Sequence, residues 1–373
     1  MNTEFAVSTR VVSGVGSLSA LPAELDRLGA ARIALVADRG IAEVGLLDRV
    51  RRDVPRSTIA TTVLVDPDPD VRAVEMSAAE ARRADADVVL AIGGGSALGA
   101  AKAVAIRMTN PGRIDTYAGV GKVPAPPAPT IAVPTTAGSG SEVSQVLVLH
   151  EAGRADELVV RSAGCEPRVA VLDGTVLRDL PWAPLVFAAL DALSHCIEST
   201  WARRSSFFTE ALAHHAAQAI IDTLPLAVDG IASGRNASGE NDPVLQRLLE
   251  ASSAANMACG NSGLALVHAL STAPSVHIAH GLQNGILLPH VARFNEPVTS
   301  DRTRELVDQI SHLYDAIGFA PHFAAGAVGT EQVQAMLAAS TGHPFRLNNR
   351  REPSDDDVIE ILLAAGAQVA VAA

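Results

Sequence analysis

Apolar positions recur along this chain in two rhythms, and the change between them falls near Pro181. Before that point, short and nearly continuous apolar runs alternate with segments of helical spacing. That is the pattern of buried parallel strands joined by helices. The run from Arg32 to Asp38 is one such strand, and it ends in an acid. Others are expected over 5–12, 58–65, 88–92, 130–133, 143–149 and 169–173, the last two completing the sheet. Helices are expected over 18–28, 45–53, 71–84 and 97–106. After Pro181 alanine-rich segments of helical period take over, at 185–202, 209–223, 243–257, 303–316, 330–339 and 355–365. Pro225 and the polar stretch 234–242 read as breaks. The predicted fold class is α/β plus all-α, with a parallel-sheet domain over 1–181 and an all-helical domain over 182–373.

Two loops in the first half have the composition of a nucleotide site. The strand at 88–92 runs into Gly93, Gly94, Gly95 and Ser96, and a helix follows. Glycines there let backbone approach a diphosphate, and the free N–H groups of the helix stabilise its charge. A tight turn holding no ligand would explain the same glycines. The spacing is not G-x-G-x-x-G, so an ordinary Rossmann enzyme is not directly supported. The stretch 134–142 also follows a strand and offers Thr135, Thr136 and Ser139. Asp38, at a strand end, can accept hydrogen bonds from ribose hydroxyls and would repel a 2′-phosphate, which favours NAD(H) over NADP(H). A helix or turn cap is the plainer use of the same carboxylate.

The second half carries a different chemistry. Asp191 and His195 stand four residues apart within an otherwise apolar run, so a helix projects both from one face. An ionised carboxylate buried there without a partner costs several kcal/mol or more. A cation is one of the few partners that suits both groups. His268 and His280 follow in a similarly apolar, glycine-bounded region. One carboxylate and three imidazoles form a ligand set for ferrous iron or zinc. Taken singly, each histidine also fits a satisfied core position.

Composition narrows the classes. With 373 residues, 48% hydrophobic and 19% charged, the chain is long and apolar enough for two cored domains. A net charge of −12 argues against non-specific binding to nucleic acid or an anionic membrane. The cysteines Cys165, Cys196 and Cys259 have no C-x-x-C spacing and read as reduced, buried thiols. No basic and apolar leader opens the sequence and no run reaches about 20 apolar residues, so a cytoplasmic protein is expected.

Six stretches together resemble the iron-containing (group III) alcohol dehydrogenase family. They are GGGSALGAAKA from Gly93, PTTAGSGSEVS from Pro134, DALSHCIES from Asp191, GLALVHAL from Gly263, AHGLQNGILLPHVARFN from Ala279 and NNRREPSDDDV from Asn348. They occur in the family's order across nearly the whole chain. The resemblance implies an N-terminal dinucleotide-binding domain and a C-terminal helical domain for metal and substrate. It places metal ligands at Asp191, His195, His268 and His280, and implies NAD(H) and Fe2+ as cofactors, with Zn2+ the other metal the set accepts. A homodimer is the family's assembly.

The chain departs from the family at three places. Gly99 stands where the glycine loop's helix usually has an acid, a feature similar to maleylacetate reductases, the metal-independent relatives. Thr272 stands where many members have a further histidine near the nicotinamide. The segment between His268 and His280 is about two residues shorter than usual and contains His277. These changes point to Thr272 with water, or His277, as the proton route, and an ordinary polar loop position is the plainer use of His277. They also point to a specialised alcohol or carbonyl substrate, small or peptide-borne. The expected reaction is hydride transfer between substrate carbon and nicotinamide, with the metal acting as Lewis acid on the substrate oxygen. The alternatives are a metal-independent maleylacetate-type reduction and NAD-dependent lyase chemistry on a dehydroquinate-synthase-like scaffold.

Overall fold

In the computed structural model, which describes residues 4–43, 45–54, 58–66, 69–151 and 157–369, the chain divides into two compact units. One unit holds Val7–Leu180 and Asn236–Glu250. The other holds Pro181–Arg235 and the described residues from Ala251 onward, with those before Val7.

Among the described residues, the first unit contains all the strands: β1 (Arg10–Ser13), β2 (Ile33–Asp38), β3 (Ile59–Val65), β4 (Val88–Gly93), β5 (Gly119–Val120), β6 (Thr130–Pro134), β7 (Val146–Leu149), β8 (Leu158–Arg161) and β9 (Val169–Leu172). Six form a parallel sheet in the order β1-β9-β6-β4-β2-β3. The central strands β4 and β6 are buried along their whole length, which is why they read as unbroken apolar runs. Register pairs Ala37 with Ile92 and Gly93 with Pro134. The C-terminal ends of β2, β4 and β6 therefore lie side by side, and their loops leave from one edge of the sheet.

Three expectations need correcting in this unit. The run at 143–149 does not complete the main sheet. Its last four residues form β7, which pairs antiparallel with β8, a strand not anticipated. Leu147 and Leu149 are buried while Val148 between them is exposed, a one-sided pattern that suits an antiparallel pair rather than a sheet covered on both faces. The first strand is shorter than 5–12 and forms the sheet's edge. Residues 236–250, read with the helical half, pack instead with this unit. There Gln246 accepts from Gly174 N–H at 2.7 Å and donates to the Leu172 carbonyl at 3.0 Å.

The second unit is helical. Its longer helices are Trp182–Trp201, Phe207–Ser233, His280–Asn295, Asp301–Ile317, Thr330–Ser340 and Asp355–Ala364. Pro225 does not break the second of these, which runs on to a left-handed Gly234 cap. A proline in a helix interior costs about 3 kcal/mol, and each buried Leu or Ile returns about 1.5–3 kcal/mol. Ile220, Ile221, Leu224 and Ala227 are all buried around it, so packing wins. The His280–Asn295 helix was not anticipated, for Gly281, Gly285 and Pro289 obscure its period. No helix among the described residues is long and apolar enough to cross a membrane.

Candidate active site

In the α/β unit, Asp38, Gly93, Gly94, Gly95, Thr136 and Ser139 come together at the sheet edge. The Asp38 carboxylate accepts from the Gly94 N–H at 2.7 Å, so it holds the glycine loop as well as facing outward. Burial pushes its carboxyl above the usual carboxylate range, against the pull of that backbone bond. A Cβ on Gly93 would lie 2.3 Å from Asp38 Oδ2, and φ there is +152°. Only glycine fits that position. A Cβ on Gly95 would meet Ser139 Oγ at 2.8 Å, and one on Gly94 would touch Thr136 at 3.4 Å. Thr135 is buried and ties the second loop to the first through its N–H on the Gly93 carbonyl at 3.0 Å. Ser96 is the second residue of the Gly95–Thr109 helix, whose N-terminus has no side-chain cap. The two loops thus meet through backbone and small hydroxyl groups.

Lys102, one of the largest fully buried side chains, was not singled out from the sequence. From the Gly95–Thr109 helix its ammonium donates to the carbonyls of Ser141, Ser144 and Val146. It fastens the end of the second loop to the helix that begins at the first. Burial pushes its pKa down to about 7, with Glu142 partly opposing.

In the helical unit, Asp191 and His195 lie one turn apart on the Trp182–Trp201 helix, as their spacing predicts. Asp191 Oδ1 is the hub, 3.6 Å from His195 Nε2, 3.4 Å from His268 Nε2 and 3.6 Å from His280 Nε2. Asp191, His268 and His280 offer donor atoms all within 4.8 Å of one another. His195 stands beside this trio and reaches it through Asp191, its ring stacked on His268 with centroids 4.7 Å apart. Donors bound to one ion at about 2.1 Å can be no more than about 4.2 Å apart, and the three contacts to Asp191 meet that limit.

Helix packing places the trio. Gly281 and Gly285 face the Trp182–Trp201 helix, where a Cβ on Gly281 would fall 2.1 Å from the Phe187 carbonyl oxygen. Without side chains at these two points, the His280–Asn295 helix can lie close enough for His280 to meet Asp191. His268 comes from the short Leu266–Leu270 helix. Glu198, fully buried and missed from the sequence, fixes it: one carboxylate oxygen accepts from His268 Nδ1 at 2.6 Å and the other from the Val267 N–H at 2.6 Å. That bond leaves Nε2 turned toward Asp191, the arrangement by which a carboxylate orients a metal-bound imidazole. The signal was present, since Glu198 lies seven residues beyond Asp191, on the same helix face.

Electrostatics follow from this crowding. Burial acts to raise the Asp191 carboxyl, but the three imidazoles overcome it and hold the group well below the usual range. Burial pushes the His195 imidazolium down to about 3. His268 is also buried, yet Glu198 and Asp191 on either side push it up to about 9. Positive charge is thus favoured on His268, between the two carboxylates, while burial lowers His280 as it does His195. His195 Nδ1 is buried without a partner. Mixed oxygen and imidazole donors, a hub carboxylate and a demand for positive charge fit a divalent ion such as Fe2+ or Zn2+.

The remaining candidates lie on the stretch between His268 and His280. Thr272 is half-buried and donates its hydroxyl back to the Ala269 carbonyl at 3.0 Å. His277 is exposed on irregular backbone. Neither is drawn into the cluster. Gly99 is buried, and a Cβ there would lie 3.7 Å from the Val148 carbonyl oxygen.

Comparison with known proteins gives a consistent result. A family model described as iron-containing alcohol dehydrogenase matches residues 8–174, and one described as the C-terminal part of the Fe-containing alcohol dehydrogenase family matches residues 185–366. The probable alcohol dehydrogenase EutG of Salmonella typhimurium is 31% identical over 380 residues, covering 97% of this chain and 94% of its own. Among solved structures, a 1,3-propanediol oxidoreductase superposes with a TM-score of 0.89 at 26% identity, covering 98% of this chain and 100% of its own. The sulfoacetaldehyde reductase from Bifidobacterium kashiwanohense, in complex with NAD+, superposes with a TM-score of 0.86 at 25% identity, covering 98% and 99%.

Proposed function

We infer the function from the premise that the chain belongs to the iron-containing alcohol dehydrogenase family. It is a metal-dependent, NAD-linked oxidoreductase that interconverts an alcohol and a carbonyl. The observation that carries the site assignment is the convergence of Asp191, His268 and His280 on one point of the helical unit. We assign these three as metal ligands, with His195 as the fourth. When bound, the ion would supply Lewis acidity toward a substrate oxygen, and NAD(H) would supply the hydride chemistry.

The chain's own residues do the positioning. Gly93, Gly94, Gly95 and Ser96 bring backbone against the diphosphate, and Thr135, Thr136 and Ser139 line the opposite loop. Asp38 presents its carboxylate to the ribose while anchoring Gly94. Glu198 keeps His268 Nε2 aimed at Asp191. Proton release falls to Thr272 with water, or to His277, since neither the buried His195 nor His268 is free to exchange with solvent. Thr272 is smaller than an imidazole and turned back on Ala269, which leaves room for a substrate larger than ethanol, on a small molecule or a peptide.

Assembly as a homodimer and a cytoplasmic location complete the proposal. Supporting the dimer, β1 is an edge strand, and Val11 on it, with Val7 and Val15 on either side, is exposed. Sedimentation checks this directly. The function itself is tested by elemental analysis of freshly purified protein together with an NADH-linked screen of alcohols and carbonyls. Iron or zinc near one per chain, with activity lost on chelation and restored by metal, is the expected result. Full activity after exhaustive chelation would reject the metal-dependent reading in favour of a maleylacetate-type reduction.

A further inference from the structure

One side chain at the metal donors has no role in the account above. Asn284 lies one turn beyond His280 on the same helix and is fully buried. Its amide nitrogen sits 2.8 Å from Asp191 Oδ1, 3.1 Å from His268 Nε2 and 3.0 Å from His280 Nε2. These are the three donor atoms of the trio. Its amide oxygen is buried and has no hydrogen-bond partner.

That arrangement is well suited to holding the donors together and poorly suited to a bound ion. An amide nitrogen has two hydrogens, so it can serve two of its three neighbours at best. A buried carbonyl oxygen left unpaired forfeits the hydrogen bonds it makes to water when exposed. A carboxamide is planar, and half a rotation exchanges its nitrogen and oxygen within nearly the same volume. An ion shared by Asp191, His268 and His280 uses the electron pairs that the amide hydrogens otherwise meet. It then favours oxygen, not an N–H, as the atom turned toward it. Gly285 beside it lies close on Leu190, so the amide stands where the two helices pack tightly together.

We propose that Asn284 is a positioning residue for the metal: its nitrogen gathers the three donors before the ion arrives, and its oxygen faces the ion afterwards. The proposal rests on the reading of this trio as the metal site. Its consequence is that the carboxamide sets ion affinity and the ligand field, although it belongs to none of the recognised ligands.

The test is titration of Co2+ into metal-stripped, full-length protein, followed by visible absorption, for the wild type, Asn284→Ala, Asn284→Asp and the control His268→Ala. Wild type is expected to bind and His268→Ala to fail. Asn284→Ala should bind about 10- to 100-fold more weakly, with an altered absorption envelope. Asn284→Asp keeps an oxygen at the position and should retain wild-type affinity or exceed it. A wild-type Kd and spectrum for Asn284→Ala would overturn the proposal alone, and equal losses in the Ala and Asp variants would overturn the role of the oxygen. Failure of the wild type to bind Co2+ would bring down the metal reading, and this inference with it. Should the Ala variant fail to fold, Asn284→Ser carries the same comparison.

Discussion

Around Gly93–Gly95 the protein offers backbone, and around Asp191 it offers side chains. The first region is defined by what is missing: a Cβ at Gly93 or Gly95 would strike Asp38 or Ser139. The second is defined by what has been added to an apolar interior: Asp191, His195, Glu198, His268 and Asn284, all buried. In the proposed function both would hold a charged guest, but they fail in opposite ways. A backbone-lined site is broken by adding atoms, and a side-chain site by removing them or their charge.

The largest effect should come from subtracting the hub. Asp191→Asn removes the charge that draws the imidazoles inward. If the ion contributes about 4 kcal/mol to the reaction, turnover falls on the order of a thousandfold. Bound iron or zinc, measured by elemental analysis, should fall with it, while NADH affinity, read by nucleotide fluorescence, stays within twofold. Loss of NADH binding in this variant would deny that the two regions act independently. Glu198→Gln subtracts less. It keeps the shape but weakens the grip on His268, and metal affinity should drop about 10- to 100-fold. Chelator competition measures it, and an unchanged affinity would reduce Glu198 to a packing residue.

The contrast also explains what could be read in advance. The glycine and threonine loops are contiguous in sequence and follow apolar strands, so both loops and the strands β2, β4 and β6 were visible. Asp191 and His195 were visible because an acid four residues from a histidine interrupts an apolar run. Glu198 shares a helix face with Asp191, so its spacing marks it as a candidate, but its partner His268 is 70 residues away and local spacing cannot name that partner. The helix that carries His280 and Asn284 was hidden by the feature that makes it work. Gly281 and Gly285 lower helix propensity, yet they permit the close approach to the Trp182–Trp201 helix. Strand β7 was misplaced because alternation within four residues is too short to separate one sheet from another.

Adding one carbon should break the backbone-lined region selectively. In Gly93→Ala the new methyl must displace Asp38, which costs the Asp38–Gly94 bond and strains a position at φ +152°. NADH affinity should fall about tenfold, and stability by about 1–3 kcal/mol. Metal content should not change. Metal lost in parallel with nucleotide affinity would mean that the α/β unit had misfolded rather than lost its loop.

The smallest effect probes Lys102, buried beneath the two loops. The Lys102 pKa is about 7 in the folded protein against 10.5 as its ordinary value. Between those two pH values the unfolded chain carries a proton that the folded one lacks, so stability rises with pH through that window. The slope is at most about 1.4 kcal/mol per pH unit and fades above the upper value. Lys102→Met removes the proton difference and should flatten this part of the curve. It also strands the carbonyls of Ser141, Ser144 and Val146, so the variant should fall furthest below wild type at the alkaline end. Urea midpoints across the window read both effects. A wild-type curve that stays flat through this window and declines only above about 10.5 would show instead that the three carbonyls keep the ammonium charged, which would make this lysine a permanent cation holding the second loop to the first.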